Sequence, residues 1–246
     1  MKIGIDTHMH TLASDHAYCT LIEMLDYAKE INLEGIVVTD HGPAIVDSAH
    51  MWHFSELYRW PRKYKGVYLI KGAEASITDF DGSIDINLQY ALDVIEFLIA
   101  SWHTHVLKPK SKEENTKAYL NLIEKNNIDV LGHIYDPNIE LDYDAIFKKA
   151  KEYGVGMELN NFRLNRFLKK DINRFNEYVD VIKCALKYDL PIFISSDAHI
   201  CFELGDYDAA FLAAKKAGAT KENIVNTSYE KLKKFIENKR KISLGE

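Results

Sequence analysis

Short apolar segments recur along this chain at a near-constant interval, and a polar residue suited to chemistry closes each one. The segments are Ile3–Ile5, Gly35–Val38, Val67–Ile70, Phe97–Ala100, Val130–Leu131, Val155–Leu159 and Ile192–Ile194. They are brief, rich in Ile and Val, and not alternating, as expected of parallel strands buried on both faces. The closing residues His8, His41, Glu74, His103, His133, Asn160 and Asp197 are separated by 33, 33, 29, 30, 27 and 37 residues. That interval is the length of one strand–helix–strand unit. Helical patterns fill the gaps. Thr20 and Glu23 predict a capping box ahead of Leu21, Leu25, Ala28 and Ile31, and Ser111 and Glu114 predict another before Tyr119, Leu122 and Ile123. Phe147 and Ala150 belong to a helix that Gly154 ends, and Thr227 and Glu230 open a C-terminal helix. Seven units over 246 residues, with a weak eighth strand candidate at Ile224–Val225, predict one α/β barrel domain over residues 1–246. An open doubly wound sheet is the fallback, although the Gly-rich first turn of a dinucleotide site is absent.

In a parallel barrel the C-terminal strand ends converge on one mouth. Here that mouth receives His8-Met9-His10, His16 from the next loop, Asp40-His41, Glu74, His103-Thr104-His105, His133 and Asp197-Ala198-His199. Period two places His8 and His10 on one face of an extended segment. A single strand-end His is more often a surface or core residue than a ligand. Seven together are different: neutral imidazoles leave lone pairs unmatched, and protonated ones repel. Divalent cations remove both problems. Nine donors exceed the four to six that one ion takes, so two or three ions sharing a carboxylate are expected. Imidazole with carboxylate suits Zn, Mn or Fe alike.

Composition closes other routes. Three cysteines at 19, 184 and 201 lack any Cys-x-x-Cys spacing, which fits a reducing, cytoplasmic setting without a thiolate zinc site. The opening segment reads as no signal peptide and no stretch reads as a membrane span. With 31 Lys+Arg against 37 Asp+Glu, the net charge of −6 disfavours long nucleic-acid contacts.

At these residues the sequence resembles the polymerase and histidinol phosphatase (PHP) superfamily, and in particular its single-domain YcdX-type metal-dependent phosphatases. The stretches that carry the likeness are Asp6-Thr7-His8-Met9-His10-Thr11, His16-Ala17-Tyr18, Thr39-Asp40-His41-Gly42-Pro43, Trp52-His53-Phe54, Gly72-Ala73-Glu74-Ala75, Glu158-Leu159-Asn160-Asn161 and Ser196-Asp197-Ala198-His199. Their order and spacing match together from residue 3 to about 236. The resemblance implies a distorted (β/α)7 TIM-like barrel with a trinuclear centre. His8, His10 and Asp197 would hold one ion, Glu74 would bridge to a second held by His103 and His133, and His16, His41 and His199 would hold the third. Of these, His8, His10, Glu74 and Asp197 would be the catalytic set. Ile134-Tyr135-Asp136-Pro137 departs from the Pro-Gly type turn usual in that branch, which leaves the neighbouring loop open.

The expected reaction is hydrolysis of a small phosphate monoester. Hydroxide made available near neutral pH by the cations attacks phosphorus in line. Arg62, Arg163 and Arg166 are phosphate-clamp candidates, because a guanidinium fork matches two phosphoryl oxygens. His50 and His53, with Trp52, Phe54 and Trp60, form a candidate lid, and Asn160 and Asn161 are candidate substrate contacts. Asp6 and Asp40 could each accept a ligand ring N–H or serve only as structural hydrogen-bond acceptors. His105 is expected outside the donor set. The competing functions are an amidohydrolase-type metallohydrolase, a nuclease or phosphodiesterase, and a non-catalytic metal-binding module.

Overall fold

The computed structural model of the chain describes residues 2–46 and 48–245, so Met1, Asp47 and Glu246 lie outside the described residues. Its strands are β1 (Ile5–Asp6), β2 (Gly35–Val38), β3 (Lys63–Tyr64), β4 (Val67–Ser76), β5 (Phe97–Ser101), β6 (Val130–Leu131), β7 (Gly156–Asn160) and β8 (Ile192–Ser195). All but β3 run parallel in the order β1-β2-β4-β5-β6-β7-β8. The result is a nearly closed, distorted (β/α)7 barrel. Every apolar run of the sequence supplies a strand, with ends shifted by a residue or two except in β4, which runs six residues past Ile70 to Ser76. The short β3 pairs antiparallel with the start of β4 and was not anticipated. The eighth candidate does not become a strand: Ile224 makes one bridge to Ile192, and Val225–Thr227 turn into a 3₁₀ segment.

The seam between first and last strands is closed in two places. Near the mouth, the His10 N–H donates to the Ala198 carbonyl at 2.8 Å, and the Asp197 N–H to that of His8 at 2.9 Å. Near the floor, the buried Asn226 amide donates to the carbonyls of Ile5 (2.7 Å) and Ile194 (2.6 Å) while its oxygen accepts the Ile194 N–H at 3.1 Å. One side chain thus stands in for missing ladder bonds, whose loss in a buried site costs about 1–3 kcal/mol each.

Period-two packing fills both sides of the sheet. Ile5, Val37, Ile70, Phe97, Ile99, Val130 and Phe193 point inward and meet Tyr229, Leu232 and Ile236 of α9 (Tyr229–Arg240), which plugs the floor. The alternate residues Ile36 and Val38 face outward onto Met24, Leu25 and Ala28 of α1 (Leu21–Glu30). The Thr20–Glu23 capping box of α1 is present in both directions. At α9 the cap is Ser228, not Thr227, because Thr227 is held in the preceding 3₁₀ turn. The remaining helices are α2 (Met51–Glu56), α3 (Gln89–Leu92), α4 (Lys112–Lys125), α5 (Tyr143–Glu152), α6 (Asn161–Lys170), α7 (Ile172–Lys187) and α8 (Asp208–Ala217). Among the described residues no helix is long and apolar enough to cross a membrane.

Candidate metal centre

All nine expected donors meet at the C-terminal ends of the strands, with Glu74 at the middle. One Glu74 oxygen, Oε2, lies 2.7 Å from His41 Nδ1, 3.3 Å from His8 Nε2 and 3.7 Å from His10 Nε2. The other, Oε1, lies 3.0 Å from His133 Nε2 and 3.5 Å from His103 Nε2. Asp197 Oδ1 lies 3.2 Å from His10 Nε2 and 3.5 Å from His8 Nε2. At the outer rim the Nε2 atoms of His199 and His16 are 3.0 Å apart.

Backbone shape puts these side chains there. His133 and Asp197 sit at φ of 22° and 58°, in the left-handed region that costs a non-glycine residue about 1–3 kcal/mol. Glycines beside the donors allow close approach. A Cβ on Gly132 would lie 2.2 Å from Ser101 Oγ, and one on Gly42 would lie 2.4 Å from the Asp85 carboxylate.

Proton bookkeeping shows which ring nitrogens face the centre. His8 Nδ1 donates to the Glu158 carboxylate at 2.6 Å, and His199 Nδ1 to the Asp197 carbonyl at 3.0 Å. Ser14 gives its single hydroxyl proton to Asp40 at 2.8 Å, so it accepts from His10 Nδ1 at 3.3 Å. In its neutral form each of these rings therefore turns an Nε2 lone pair inward. Yet His8 and His10 Nε2 stand only 3.1 Å apart. His41 Nδ1 and Glu74 Oε2 are both buried and without a hydrogen-bond partner, although they nearly touch. Lone pairs facing lone pairs at this spacing are unfavourable alone. Donors that share one ion at bond lengths of about 2.0–2.2 Å are separated by about 3–3.5 Å, which is the spacing seen. The residues fit divalent cations. Three groups of donors can each hold one: His8, His10 and Asp197; His41, Glu74 and His103; His10, His41 and His199.

The electrostatics agree. Burial pushes His10 down to about 3, with the neighbouring His41 adding to it, and burial takes His103 down to about 4. Burial also opposes charge on His8, but Glu158, Glu74 and Asp197 outweigh it and raise that ring well above its ordinary value. Glu74 and Asp197 stay ionised well below the usual carboxylate range, because the surrounding imidazoles overcome their burial. The carboxylates thus draw protons onto His8 and His41, while burial keeps His10 and His103 as neutral donors.

Glu158 had no role assigned from the sequence. Fully buried on β7, it accepts from His8 Nδ1 and from the His133 N–H at 2.6 Å each. Alternation in Met157-Glu158-Leu159-Asn160 was the available signal, since it places Glu158 on the face of Asn160. Asp6 and Asp40 bind no ligand ring directly. Asp6 accepts from the N–H groups of His8 and Ser196 and from the Tyr207 hydroxyl. Asp40 accepts from Thr11, Ser14 and His53.

A mouth of about 600 Å³ opens above the donors, walled by Ile45, Val46, Phe162, Arg163, Arg166 and Glu203. Arg163 is steadied by Asp136 at 3.3 Å, and the exposed His105 lies on the rim. Asn160 donates to Asp197 at 3.0 Å and caps α6 through the Arg163 N–H, so it serves the donors. Four candidates are not brought to the mouth. Arg62 is paired with Glu96 and the Leu69 carbonyl near the floor. His50 caps α2 by accepting the Trp52 N–H, and Trp52 is largely exposed rather than roofing the pocket. His53 is spent on Asp40 at 3.0 Å. Asn161 accepts the Ala210 N–H of α8 at 3.0 Å, which makes it a packing contact.

Fold and donors together define a barrel scaffold of hydrolase type whose histidine–carboxylate cluster fits divalent cations. The PHP domain matches residues 6–164, and the chain belongs to the PHP family. A protein named probable phosphatase from Clostridium botulinum is 37% identical over 244 residues, 98% of each chain. Another of that name from Thermoanaerobacter sp. is 36% identical over 244 residues, again 98% of each. Among solved structures, histidinol phosphate phosphatase from Lactococcus lactis, complexed with zinc, L-histidinol and phosphate, superposes with a TM-score of 0.61 at 17% identity. That match covers 89% of this chain and 95% of the other, and it supports the fold.

Proposed function

We propose that the chain, as one barrel domain, is a metal-dependent phosphatase that hydrolyses small phosphate monoesters at a centre of three divalent ions. The observation that carries this reading is the nine-donor cluster around Glu74, opening into a mouth that bears two arginines. Bound cations of the Zn, Mn or Fe type supply Lewis-acid stabilisation of phosphoryl oxygens and lower the pKa of water. His8, His10 and Asp197 would hold the first ion, Glu74 would join it to a second at His103 and His133, and His16, His41 and His199 would hold the third. His41 also touches Glu74 at 2.7 Å, so the third site abuts the bridge. The relatives' names support the same reaction class.

The other residues position and protect. Glu158 keeps the Nδ1 proton on His8, and Ser14 keeps it on His10, so both rings present Nε2 to the centre. Arg163 and Arg166 bind phosphoryl oxygens at the entrance and orient the ester for in-line attack. Ile45, Val46 and Phe162 give the leaving group an apolar wall and displace water.

The test is exhaustive chelation followed by reconstitution with Zn, Mn or Fe. Assays run against phosphorylated metabolites, with a phosphodiester and an amide panel alongside. Chelation should abolish monoesterase activity, and at least one metal should restore it. Monoesterase activity that survives full metal removal, or restored activity confined to amides or diesters, overturns the reading.

A further inference from the structure

Two of the three cysteines meet in space although 182 residues separate them: the Cys19 sulfur accepts the Cys201 N–H at 3.2 Å, and both side chains pack in one apolar cluster. Cys184 is elsewhere, on α7 beside Asp144. Cys19 follows His16 by three positions and Cys201 follows His199 by two. The loops are already tied by the Tyr18 N–H, which donates to the His199 carbonyl at 2.8 Å. His16 is exposed and His199 half-buried, so this corner of the donor cluster has the least packing to hold it.

We propose that Cys19 and Cys201 are a modification site: a peroxide oxidises the pair to a disulfide that fastens together the loops carrying His16 and His199. Cys201, the more exposed thiol, is the entry point, and the buried Cys19 resolves it. The Cys201 sulfur attacks hydrogen peroxide; an S–O bond forms, the O–O bond breaks and one water leaves. The Cys19 sulfur then attacks the sulfenic sulfur; the S–S bond forms and a second water leaves with the thiol proton. Two thiols are oxidised and one peroxide is reduced. Disulfide formation demands sulfurs that approach with little backbone movement, which the contact between these loops provides. The inference needs only the loops and their thiols, and stands whichever ester the mouth accepts.

The experiment uses the full chain, reduced and loaded with zinc, then treated with hydrogen peroxide. Mass spectrometry should show loss of two hydrogen atoms, a peptide cross-linked between 19 and 201, and a Cys184 thiol still free. Dithiothreitol should reverse the change. Zinc release to a chelator should slow by about threefold or more in the oxidised chain, because the loops around His16 and His199 can no longer part. Cys201→Ser and Cys19→Ser should each lose the cross-link and the slowing, while Cys184→Ser keeps both. Oxygen addition without a cross-link, a cross-link through Cys184 or a second chain, or zinc release that is unchanged or faster after oxidation overturns the proposal.

Discussion

The two ends of the barrel bury charge in opposite ways. At the floor each buried cation has its own carboxylate: Arg240 Nε and Nη2 reach Asp129 at 2.8 and 2.6 Å, and Arg62 is clasped by Glu96. Further hydrogens go to the backbone carbonyls of Ile95, Asn127 and Leu69, while Arg62 Nε and Asp129 Oδ1 are buried without a partner. At the mouth, among the described residues, no Lys or Arg pairs with Glu74 or Asp197. Carboxylates there are surrounded by imidazoles, several of which burial keeps neutral. One end is paired by the chain's own arginines, and the other leaves its carboxylates to imidazoles whose donor atoms fit added cations. Buried charge is a structural pair where its partner is covalently part of the fold, and a binding site where it is not.

The largest effect should come from removing the central carboxylate of the mouth. Glu74→Gln should lower metal content and cut kcat by about a hundredfold or more, while the fold measured by circular dichroism persists. Unfolding of the variant would mean that the mouth is structurally finished after all. The floor should answer in the reverse sense. Arg240→Ala strands Asp129 and should cost about 3–5 kcal/mol in denaturant unfolding, with kcat of the folded fraction unchanged.

A smaller effect separates two carboxylates close to the mouth. Burial alone would raise Asp40, but His53 and hydrogen bonds from Thr11 and its neighbours hold it down to about 2. Asp85 is pushed by burial up to about 6, against hydrogen bonds from the Ala44 and Ser76 N–H groups. The signs differ. Asp40 contributes stability that is present above its unfolded pKa and lost as pH falls toward 2. Asp85, with its folded pKa above the ordinary 3.8, contributes most below that value and loses the contribution as pH rises through 6. Asp85→Asn should therefore stabilise the chain by about 1–3 kcal/mol near pH 8 and give no gain near pH 3.5, as read from unfolding curves. The smallest effect compares arginines: Arg62→Ala should leave KM for phosphate esters within about twofold, and Arg166→Ala should raise it about tenfold.

The legible parts of this molecule are those where chemistry and period coincide. Buried parallel strands need unbroken apolar runs, so the seven runs revealed the barrel. A ligand must sit where its strand ends, so spacing marked His8, His41, Glu74, His103, His133 and Asp197, while His10 came from period two and His16 and His199 from the adjoining loops. What escaped the sequence depends on partners distant along the chain. Glu158 looks like any strand carboxylate until His8, 150 residues away, places Nδ1 against it. Arg62 has the chemistry of a clamp, and only the position of Glu96 shows that it is taken. His50 and His53 sit among aromatics as a lid would, but one caps a helix and the other anchors Asp40. Asn226 carries no motif, yet it mends the seam.

That seam also sets an order of events. The chain joins itself across its first and last strands through contacts such as Asn226 to Ile5, 221 residues apart. Contacts between such distant residues carry the greatest entropic cost and tend to form late in folding. His8 and His10 stand on one side of the join and Asp197 on the other. The ion site proposed for them would therefore exist only after the ring has closed, so firm metal capture would report a finished molecule. An ion that arrives early meets scattered imidazoles. One that arrives late meets a complete cage, and by binding there it slows the ring from reopening.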